Sequence, residues 1–204
     1  MRATTGQYAN DNTCSVAQML ERSGFDYSFV NATQPTSVEP LRRMKPPRVA
    51  TPAEFMSFKE LGCALSHADA IQQGLHLGYE AFLILEDDVA PSAAAAVETR
   101  AFVMGALNEA PIDFDVLFLG WCMEACELTA ILTEHLQSAV GPLCAHAYIV
   151  SRSGAEKLLP RMLPASEPND VVLRKMLVDK ELKGFKTRQV RTHSLHRVDR
   201  GVRS

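Results

Sequence analysis

The sequence has no long hydrophobic run, and none of its apolar stretches approaches the roughly 20 residues that a membrane-spanning helix needs. The first twelve residues are polar, so no secretory signal is predicted at the start. Aromatic residues make up only 7% of the chain, with a single tryptophan. These absences argue against a transmembrane segment. They favour a cytoplasmic or membrane-peripheral protein, although the composition does not identify the compartment.

Cysteine is also scarce. The five cysteines are an odd number, and they lack the close spacing of a disulfide framework. We therefore expect mostly reduced thiols. A zinc site built from Cys122, Cys126, Cys144 and His146 is an alternative interpretation, although isolated buried thiols are commoner.

Neither sign of charge dominates, since the net charge is −3, and nothing in it indicates nucleic-acid binding. The distribution is uneven, however, because Lys183 to Ser204 contains seven Lys or Arg residues and one acid, a local charge of +6. We expect a basic C-terminal tail from about residue 185. It is interpreted as a solvated end or, alternatively, as a patch for phosphates or for peripheral contact with an anionic membrane.

The length of 204 residues, with 47% apolar and 22% charged residues, is typical of a globular protein with one domain. We therefore predict a single domain over residues 1–204. Unbroken or periodic apolar patterns predict strands at 27–30, 81–85, 115–119, 145–150 and 185–190, and helices at 15–23, 51–77, 93–108, 153–162 and 169–182. No strand is predicted ahead of the first helix. The alternation indicates an α/β fold with a mixed sheet, including a parallel βαβ unit built on the strands at 81–85 and 115–119.

The most informative stretch runs from Ala81 to Val89, where five apolar residues lead directly into Glu86, Asp87 and Asp88. An apolar run without polar alternation is typical of a strand that is buried on both faces. Ligands of open α/β sheets bind beyond the carboxyl ends of the strands, where these acids fall. Adjacent carboxylates repel one another, and Mg²⁺ or Mn²⁺ would relieve that repulsion. The alternative is a solvated acidic turn.

Three segments occur in a recognisable order. They read Glu-Leu-Gly-Cys-Ala-Leu-Ser-His over 60–67, Phe-Leu-Ile-Leu-Glu-Asp-Asp-Val over 82–89, and Ala-Tyr-Ile-Val-Ser over 147–151 followed by Gly154 and Ala155. This order resembles glycosyltransferase family 25, which includes lipooligosaccharide and collagen galactosyltransferases. The resemblance covers about residues 60–170.

The resemblance implies a GT-A-like nucleotide-sugar-binding domain with a mixed, mostly parallel central sheet flanked by helices. It also implies a UDP-sugar donor, Mn²⁺ or Mg²⁺ as the cofactor, and transfer of a hexose, galactose above all, to a saccharide or a hydroxylysine-type protein acceptor. Inversion at the sugar carbon is expected from the resemblance only. A metal ion fits this chemistry, because a nucleoside diphosphate leaving group develops negative charge.

Residue roles carry over at the matching positions. Asp88 is expected to bind the metal, Glu86 to face the ribose or the metal, and Asp87 to support both. The helix residues Glu60, Ser66 and His67 are expected to border the donor pocket. For His67, a structural role is an equally good interpretation.

A base must remove the acceptor hydroxyl proton, and Asp170 matches the late acidic position of the family. The alternative role of Asp170, or of Asn169, is to cap a helix. Glu124 and Glu127 are weaker candidates for the base. His193 is expected to complete the metal shell, with His196 as the alternative.

The family usually opens with a strand that helps to hold the nucleotide base, and no such strand is predicted here. This departure motivates one rival interpretation, a non-catalytic or truncated relative that keeps the fold. A second rival is a Mg²⁺-dependent phosphohydrolase that uses the same carboxylates.

Overall fold

The fold is built around a seven-stranded β-sheet. The computed structural model describes residues 2–7, 11–50, 56–91, 99–188 and 192–194. The sheet strands are β1 (Arg2–Gln7), β2 (Asp26–Asn31), β3 (Ala81–Leu85), β5 (Val116–Cys122), β6 (Leu136–Ser138), β7 (Leu143–Ser151) and β8 (Gly184–Thr187). Two further short strands, β4 (Val89–Pro91) and β9 (Thr192–Ser194), pair with each other.

The sheet has the order β2-β1-β3-β7-β5-β8-β6. Strand β1 is parallel to β2 and β3, and β5 is parallel to β8. Strand β7 is antiparallel to β3 and β5, and β6 is antiparallel to β8. The predicted mixed α/β sheet is therefore confirmed, with β3 and β5 pointing the same way. They are not neighbours, as a simple βαβ unit would require, because β7 lies between them.

The prediction that no strand precedes the first helix is wrong. Strand β1 occupies an interior position of the sheet, with Ala3 opposite Tyr27 on one side and opposite Leu83 on the other. The sequence of β1 is polar and small, and backbone ladders to two parallel neighbours hold it in place. The non-catalytic interpretation thus loses the observation that motivated it.

The helices cover both faces of the sheet. They are α1 (Asp11–Arg22), α2 (Glu39–Arg42), α3 (Phe58–His76), α4 (Thr99–Glu109), α5 (Arg152–Met162) and α6 (Asn169–Val178). The predicted helix starts at Thr51 and Ala93 lie outside the described residues. Helix α3 begins instead with a capping box between Ser57 and Glu60, and it ends before Gly78, whose φ is +76°.

Strand β3 alternates between two cores, which explains its unbroken apolar sequence. Phe82 and Ile84 pack in one cluster, with residues of α3, α5 and α6. Leu83 and Leu85 pack in the other, with residues of α1 and α4. The strand is therefore buried on both faces, as its lack of polar alternation predicts.

Two predicted helix starts are corrected. The side chain of Ser151 accepts a hydrogen bond from Gly154 N and caps α5, so the helix begins at Arg152, one residue before the predicted start at Ser153. Helix α6 has Pro168 at its N-cap position and no side-chain cap, so neither Asn169 nor Asp170 plays that role.

A disulfide joins Cys122 to Cys144, and it links the end of β5 to the start of β7. The expectation of mostly reduced thiols is wrong for this pair. The bond also removes two of the four ligands of the alternative zinc site. Sequence spacing did not indicate the pair because the two strands are brought together only by the sheet.

The basic tail is folded at its start. Lys186 lies in β8 and is fully buried, while Lys183 forms an ion pair with Asp113 and Arg188 donates to the carbonyl of Glu134. The expectation of a solvated tail from about residue 185 is therefore wrong up to Arg188. Residues 189–191 and 195–204 lie outside the described part. In the part of the chain that the structure describes, no helix combines the length and the apolar character needed to cross a membrane.

Candidate functional site

The acidic triplet lies where β3 ends. Glu86 follows the strand directly, and its backbone N–H donates to the carbonyl of His146 at 2.9 Å. Asp87 and Asp88 form the turn that leads into β4. The carboxyl ends of β1, β2 and β3 share one edge of the sheet, because these strands are parallel. The acids therefore lie at the edge where α/β sheets bind ligands.

A cavity of about 670 Å³ opens at this edge. Its walls come from the segment after β2, from the first half of α3, and from the acidic turn. The lining residues are Val30, Ala32, Thr33, Gln34, Pro35, Thr36, Phe58, Lys59, Gly62, Cys63, Ser66, His67, Ala70, Ile84, Leu85, Glu86, Asp87 and Asp88. Its volume falls in the range of small-molecule sites, and it combines apolar walls with carboxylates.

Ser66 holds two walls of the cavity together. Its hydroxyl donates to the Gly62 carbonyl at 2.7 Å and accepts from the backbone N–H of Thr33 at 2.9 Å. A side chain at Gly62 would bring its Cβ to 2.7 Å from the Thr33 carbonyl oxygen, so the close approach of this segment to α3 requires glycine. Ser66 thus lines the cavity and positions the segment after β2, and its place in a donor pocket stays a prediction.

His67 connects α3 to the acidic turn. It is buried, with Nε2 at 3.2 Å from Glu86 Oε1 and Nδ1 at 3.0 Å from the Tyr148 hydroxyl. Burial alone lowers the pKa of His67, but the interactions with Tyr148, Cys63 and Glu86 outweigh it and hold the pKa well above its ordinary value. The structure therefore brings together His67 and Glu86, two of the residues selected from the sequence.

Glu86 is affected in the opposite direction. Burial raises the pKa of Glu86, and the hydrogen bond and charge of His67 more than offset this, so the pKa lies below its ordinary value. The two shifts describe one proton that is held on the imidazole next to a carboxylate. In this arrangement Glu86 keeps a negative charge at the cavity wall.

Glu60 does not line the cavity. Its carboxylate accepts from the backbone N–H of Ser57 at 2.8 Å and from the Ser57 hydroxyl at 2.8 Å, in the cap of α3. These hydrogen bonds, the backbone one first, lower the pKa of Glu60. The expected contact of Glu60 with the donor pocket is corrected, because its side chain stabilises the helix start while the adjacent Phe58 and Lys59 reach the cavity.

Asp170 lies in the first turn of α6, and its Oδ2 accepts a hydrogen bond from the backbone N–H of Cys144 at 3.1 Å. It is not among the cavity-lining residues. Its neighbour Asn169 connects it to the cavity, since Asn169 Oδ1 is 3.6 Å from Cys63 Sγ. Asp170 therefore lies outside the cavity lining, next to a residue that contacts the cavity wall, and its assignment as a base stays a prediction.

His193 lies in β9, where its backbone is the register partner of Ala90, two residues after Asp88. Its side chain is outside the described part, as is the whole of His196. The proposed contribution of a late histidine to the metal shell therefore stays a prediction. The strand pairing does bring this segment next to the acidic turn.

Lys186 and Glu124 form a buried pair that the sequence did not indicate. Lys186 Nζ lies 3.2 Å from Glu124 Oε2 and 3.8 Å from the centroid of the Trp121 ring. Glu124 Oε1 accepts from the backbone N–H of Gly141 at 2.8 Å. The carboxylate of Glu124 is thus occupied in a structural ion pair, which argues against its weaker candidacy as the catalytic base.

The donor set at the turn fits the cation that the family resemblance implies. Glu86, Asp87 and Asp88 supply carboxylate oxygens, the ligands that Mg²⁺ and Mn²⁺ prefer, and all three residues line the cavity. A different group of described residues, however, brings three possible ligand atoms close together. They are Cys63, His67 and Glu86, whose ligand atoms lie within 4.8 Å of one another.

Comparison with known sequences identifies one family. Residues 12–105 match the profile described as glycosyltransferase family 25 (LPS biosynthesis protein). The resemblance seen in the sequence is thus confirmed for the helix segment at 60–67 and the acidic segment at 82–89. The segment at 147–155 lies outside the matched residues. No curated protein matches the chain.

Solved structures share the fold at low sequence identity. UTP-bound UGPase from Acinetobacter baumannii is similar with a TM-score of 0.56 and 10% identity, over 95% of this chain and 87% of that one. A197 from STIV has a TM-score of 0.52 and 13% identity, over 91% and 80%. UDP-glucose pyrophosphorylase complexed with UDP-glucose has a TM-score of 0.50 and 8% identity, over 92% and 90%. These similarities confirm the predicted fold class.

Proposed function

We propose that the protein, whose residues 12–105 match the profile of glycosyltransferase family 25, transfers a hexose from a UDP-sugar to a hydroxyl acceptor, with galactose as the first sugar to test. The observation that carries this proposal is the position of Glu86, Asp87 and Asp88. They line a cavity of about 670 Å³ beyond the carboxyl end of a central strand. A cavity of this size accommodates a nucleotide-sugar, and its acidic wall suits a cation that neutralises a diphosphate.

Asp88 and Glu86 would hold Mn²⁺ or Mg²⁺, with Asp87 in support and His193 as a further ligand. When bound, the cation supplies charge stabilisation to the departing diphosphate. Ser66 keeps the segment after β2 against α3, so that the cavity retains its shape. The hydrogen bond from His67 holds the Glu86 carboxylate at the wall.

Asp170 is proposed as the base that takes the proton from the acceptor hydroxyl, in a transfer that inverts the sugar carbon. Its hydrogen bond with Cys144 N orients one carboxylate oxygen, and its neighbour Asn169 contacts Cys63 of the cavity wall. The acceptor class stays open between a saccharide and a hydroxylysine-type side chain. Peripheral contact of the basic C-terminal segment with a membrane is a further proposal. The composition favours a cytoplasmic location, which the Cys122–Cys144 disulfide opposes.

The first experiment measures thermal stability with UDP, GDP and CMP, each with and without Mn²⁺. A ligand at a hundred times its Kd stabilises by about 2.7 kcal/mol, which is an easily measured shift. We expect a Mn²⁺-dependent shift with UDP that Asp88→Ala removes. Glu156→Ala is the matched control, since Glu156 is an exposed carboxylate on α5 that forms an ion pair with Arg152. The absence of a shift with any nucleotide would refute the proposed donor class.

The second experiment tests the base. Asp170→Asn should lower the rate of sugar transfer by at least about 100-fold, because general base catalysis contributes that much, while the UDP shift is retained. Loss of the shift together with transfer would assign Asp170 to folding or to the donor site. Release of phosphate from simple esters, without preference for UDP, would support a phosphohydrolase instead.

A further inference from the structure

Cys63, His67 and Glu86 bring three different metal-binding groups to one wall of the cavity. Their ligand atoms, a thiol sulfur, an imidazole nitrogen and a carboxylate oxygen, all lie within 4.8 Å of one another. All three residues line the cavity. Cys63 and His67 are four residues apart on α3, so they face the same side of the helix, and Glu86 meets them from the end of β3.

We propose that these three side chains form a binding site for a thiophilic divalent cation of the Zn²⁺ class. The hard cation proposed at Asp88 is held mainly by carboxylate oxygens, whereas a thiolate together with an imidazole selects zinc and related metals. Three protein ligands with one position left open is the arrangement of zinc sites that bind an exogenous ligand. The fourth position of this site opens towards the cavity.

The distances between the ligand atoms are close to those of a tetrahedral site. Bonds of about 2.3 Å to sulfur and about 2.1 Å to oxygen or nitrogen place neighbouring ligand atoms about 3.4–3.6 Å apart. In the structure Cys63 Sγ is 3.8 Å from Glu86 Oε1, and His67 Nε2 is 3.2 Å from the same oxygen. Adjustments of a few tenths of an ångström therefore suffice on these two edges.

The surroundings of His67 prepare it for this role. Its Nδ1 is 3.0 Å from the hydroxyl of the buried Tyr148, which favours a proton on Nδ1, so a cation at the cluster would displace only the proton that Nε2 shares with Glu86. The two rings are also stacked, with an interplanar angle of 13°. A metal-binding histidine usually has a hydrogen-bond partner on its second ring nitrogen, and this partner fixes the orientation of the ring.

A cation held here would have a consequence for the cavity. It would occupy Glu86, and it would place a soft metal on the wall that the nucleotide-sugar is proposed to contact. We therefore expect Zn²⁺ to compete with the donor, while Mg²⁺ and Mn²⁺, which prefer oxygen ligands, bind through the carboxylates of the acidic turn and do not coordinate Cys63. Binding of the cation is measured without sugar transfer, so the outcome is independent of the proposed function.

Co²⁺ is the probe, because its coordination by a thiolate gives a charge-transfer absorption band. The titration uses the double variant Cys14→Ser/Cys126→Ser with the Cys122–Cys144 disulfide intact, so that Cys63 is the remaining thiol. We expect one equivalent of Co²⁺ to give the band and Zn²⁺ to displace it. Adding Cys63→Ser should remove the band, and adding His67→Gln should weaken Co²⁺ binding at least tenfold. His76→Gln, at the exposed end of the same helix, is the matched control and should leave the titration unchanged.

Alkylation of Cys63 in the same double variant, followed by mass spectrometry, decides the case if the Cys63 or His67 variant does not fold. Zn²⁺ should slow alkylation of Cys63 at least tenfold, and Mg²⁺ at the same concentration should not. A band that persists without Cys63 would overturn the proposal. So would the absence of a band in the folded double variant, or equal alkylation rates with and without Zn²⁺. In each case the cluster would be only a hydrogen-bonded network.

Discussion

Gly154 has the least room for a side chain where α5 meets the start of β5. A Cβ at this position would lie 2.3 Å from the backbone oxygen of Asp115, which has no freedom to move aside. Gly154→Ala should therefore lower the free energy of unfolding by about 1–3 kcal/mol, as overpacking of a core does. Urea denaturation measures the change.

Gly105 provides the opposite case, since it lies within α4 and a Cβ there would meet nothing within 4 Å. Gly105→Ala should stabilise the protein by about 0.5–1 kcal/mol, because alanine is the better helix former. If both variants changed stability in the same direction, the contact at Asp115 would not be the reason that position 154 carries glycine.

At the level of single residues, most residues selected from the sequence share one cavity, whereas their side-chain contacts were not predictable from it. The acidic triplet, Ser66 and His67 all line the cavity, because a family motif and the end of a buried strand both indicate an edge of the sheet. The ion pair of Lys186 with Glu124 was not predictable, since it joins residues far apart in the chain. The cap formed by Glu60 follows the usual spacing of a capping box, with Glu60 three residues after Ser57.

The first turn of α3 contains a capping box, and the pKa of its carboxyl group, that of Glu60, is lowered. The Ser57 side chain accepts from the Glu60 N–H at 3.2 Å, and Glu60 accepts in return from the backbone and the hydroxyl of Ser57. Ser57→Ala should cost about 1 kcal/mol of stability near neutral pH. Because the pKa of Glu60 is lower in the folded state, its contribution is present above the ordinary value of 4.5 and is lost as the pH falls through the folded value.

The stability difference between wild type and Ser57→Ala should therefore narrow on acidification below about pH 4.5. Urea denaturation at a series of pH values measures it, and Ser57→Thr, which keeps a hydroxyl, is the control. A difference that stayed constant down to pH 3 would mean that the Glu60 carboxylate takes no part in the cap.

At the level of elements, strands were predictable where they carry their own apolar signal. Strand β3 is an unbroken apolar run, β5 begins with one over 116–119 and β7 contains one over 147–150, since each of these runs is buried on both faces. Strand β1 has no such run, and its place is set by hydrogen bonding to β2 and β3. Residue propensities and apolar periodicity do not predict a strand that is stabilised mainly by backbone hydrogen bonds to its neighbouring strands.

The order of strands in the whole molecule follows from contacts between distant parts of the chain. Strand β7 enters between β3 and β5, although it comes after both in the sequence. This insertion brings Cys144 next to Cys122, and the N–H of Cys144 in turn contacts Asp170 in the first turn of α6. The disulfide is also typical of proteins in oxidising compartments, and it therefore weighs against the cytoplasmic location favoured by the composition.

The disulfide gives the last prediction, at the scale of the whole fold. It closes a segment with a sequence separation of 22, and a loop of that length loses enough entropy in the unfolded chain to stabilise the folded state by about 3 kcal/mol. The double variant Cys122→Ser/Cys144→Ser should lose stability of that order in urea denaturation under non-reducing conditions. Cys126→Ser, in the same segment but outside the bond, is the control.

A reducing agent should bring wild type to the stability of the double variant and leave the variant unchanged. Because the bond joins the end of β5 to the start of β7, where the Cys144 N–H contacts Asp170, this contact should open locally before global unfolding. Hydrogen exchange of the Cys144 amide, whose N–H bonds to Asp170, measures that local effect. Equal protection of this amide in the reduced and oxidised protein would show that the strand ladder alone holds the region.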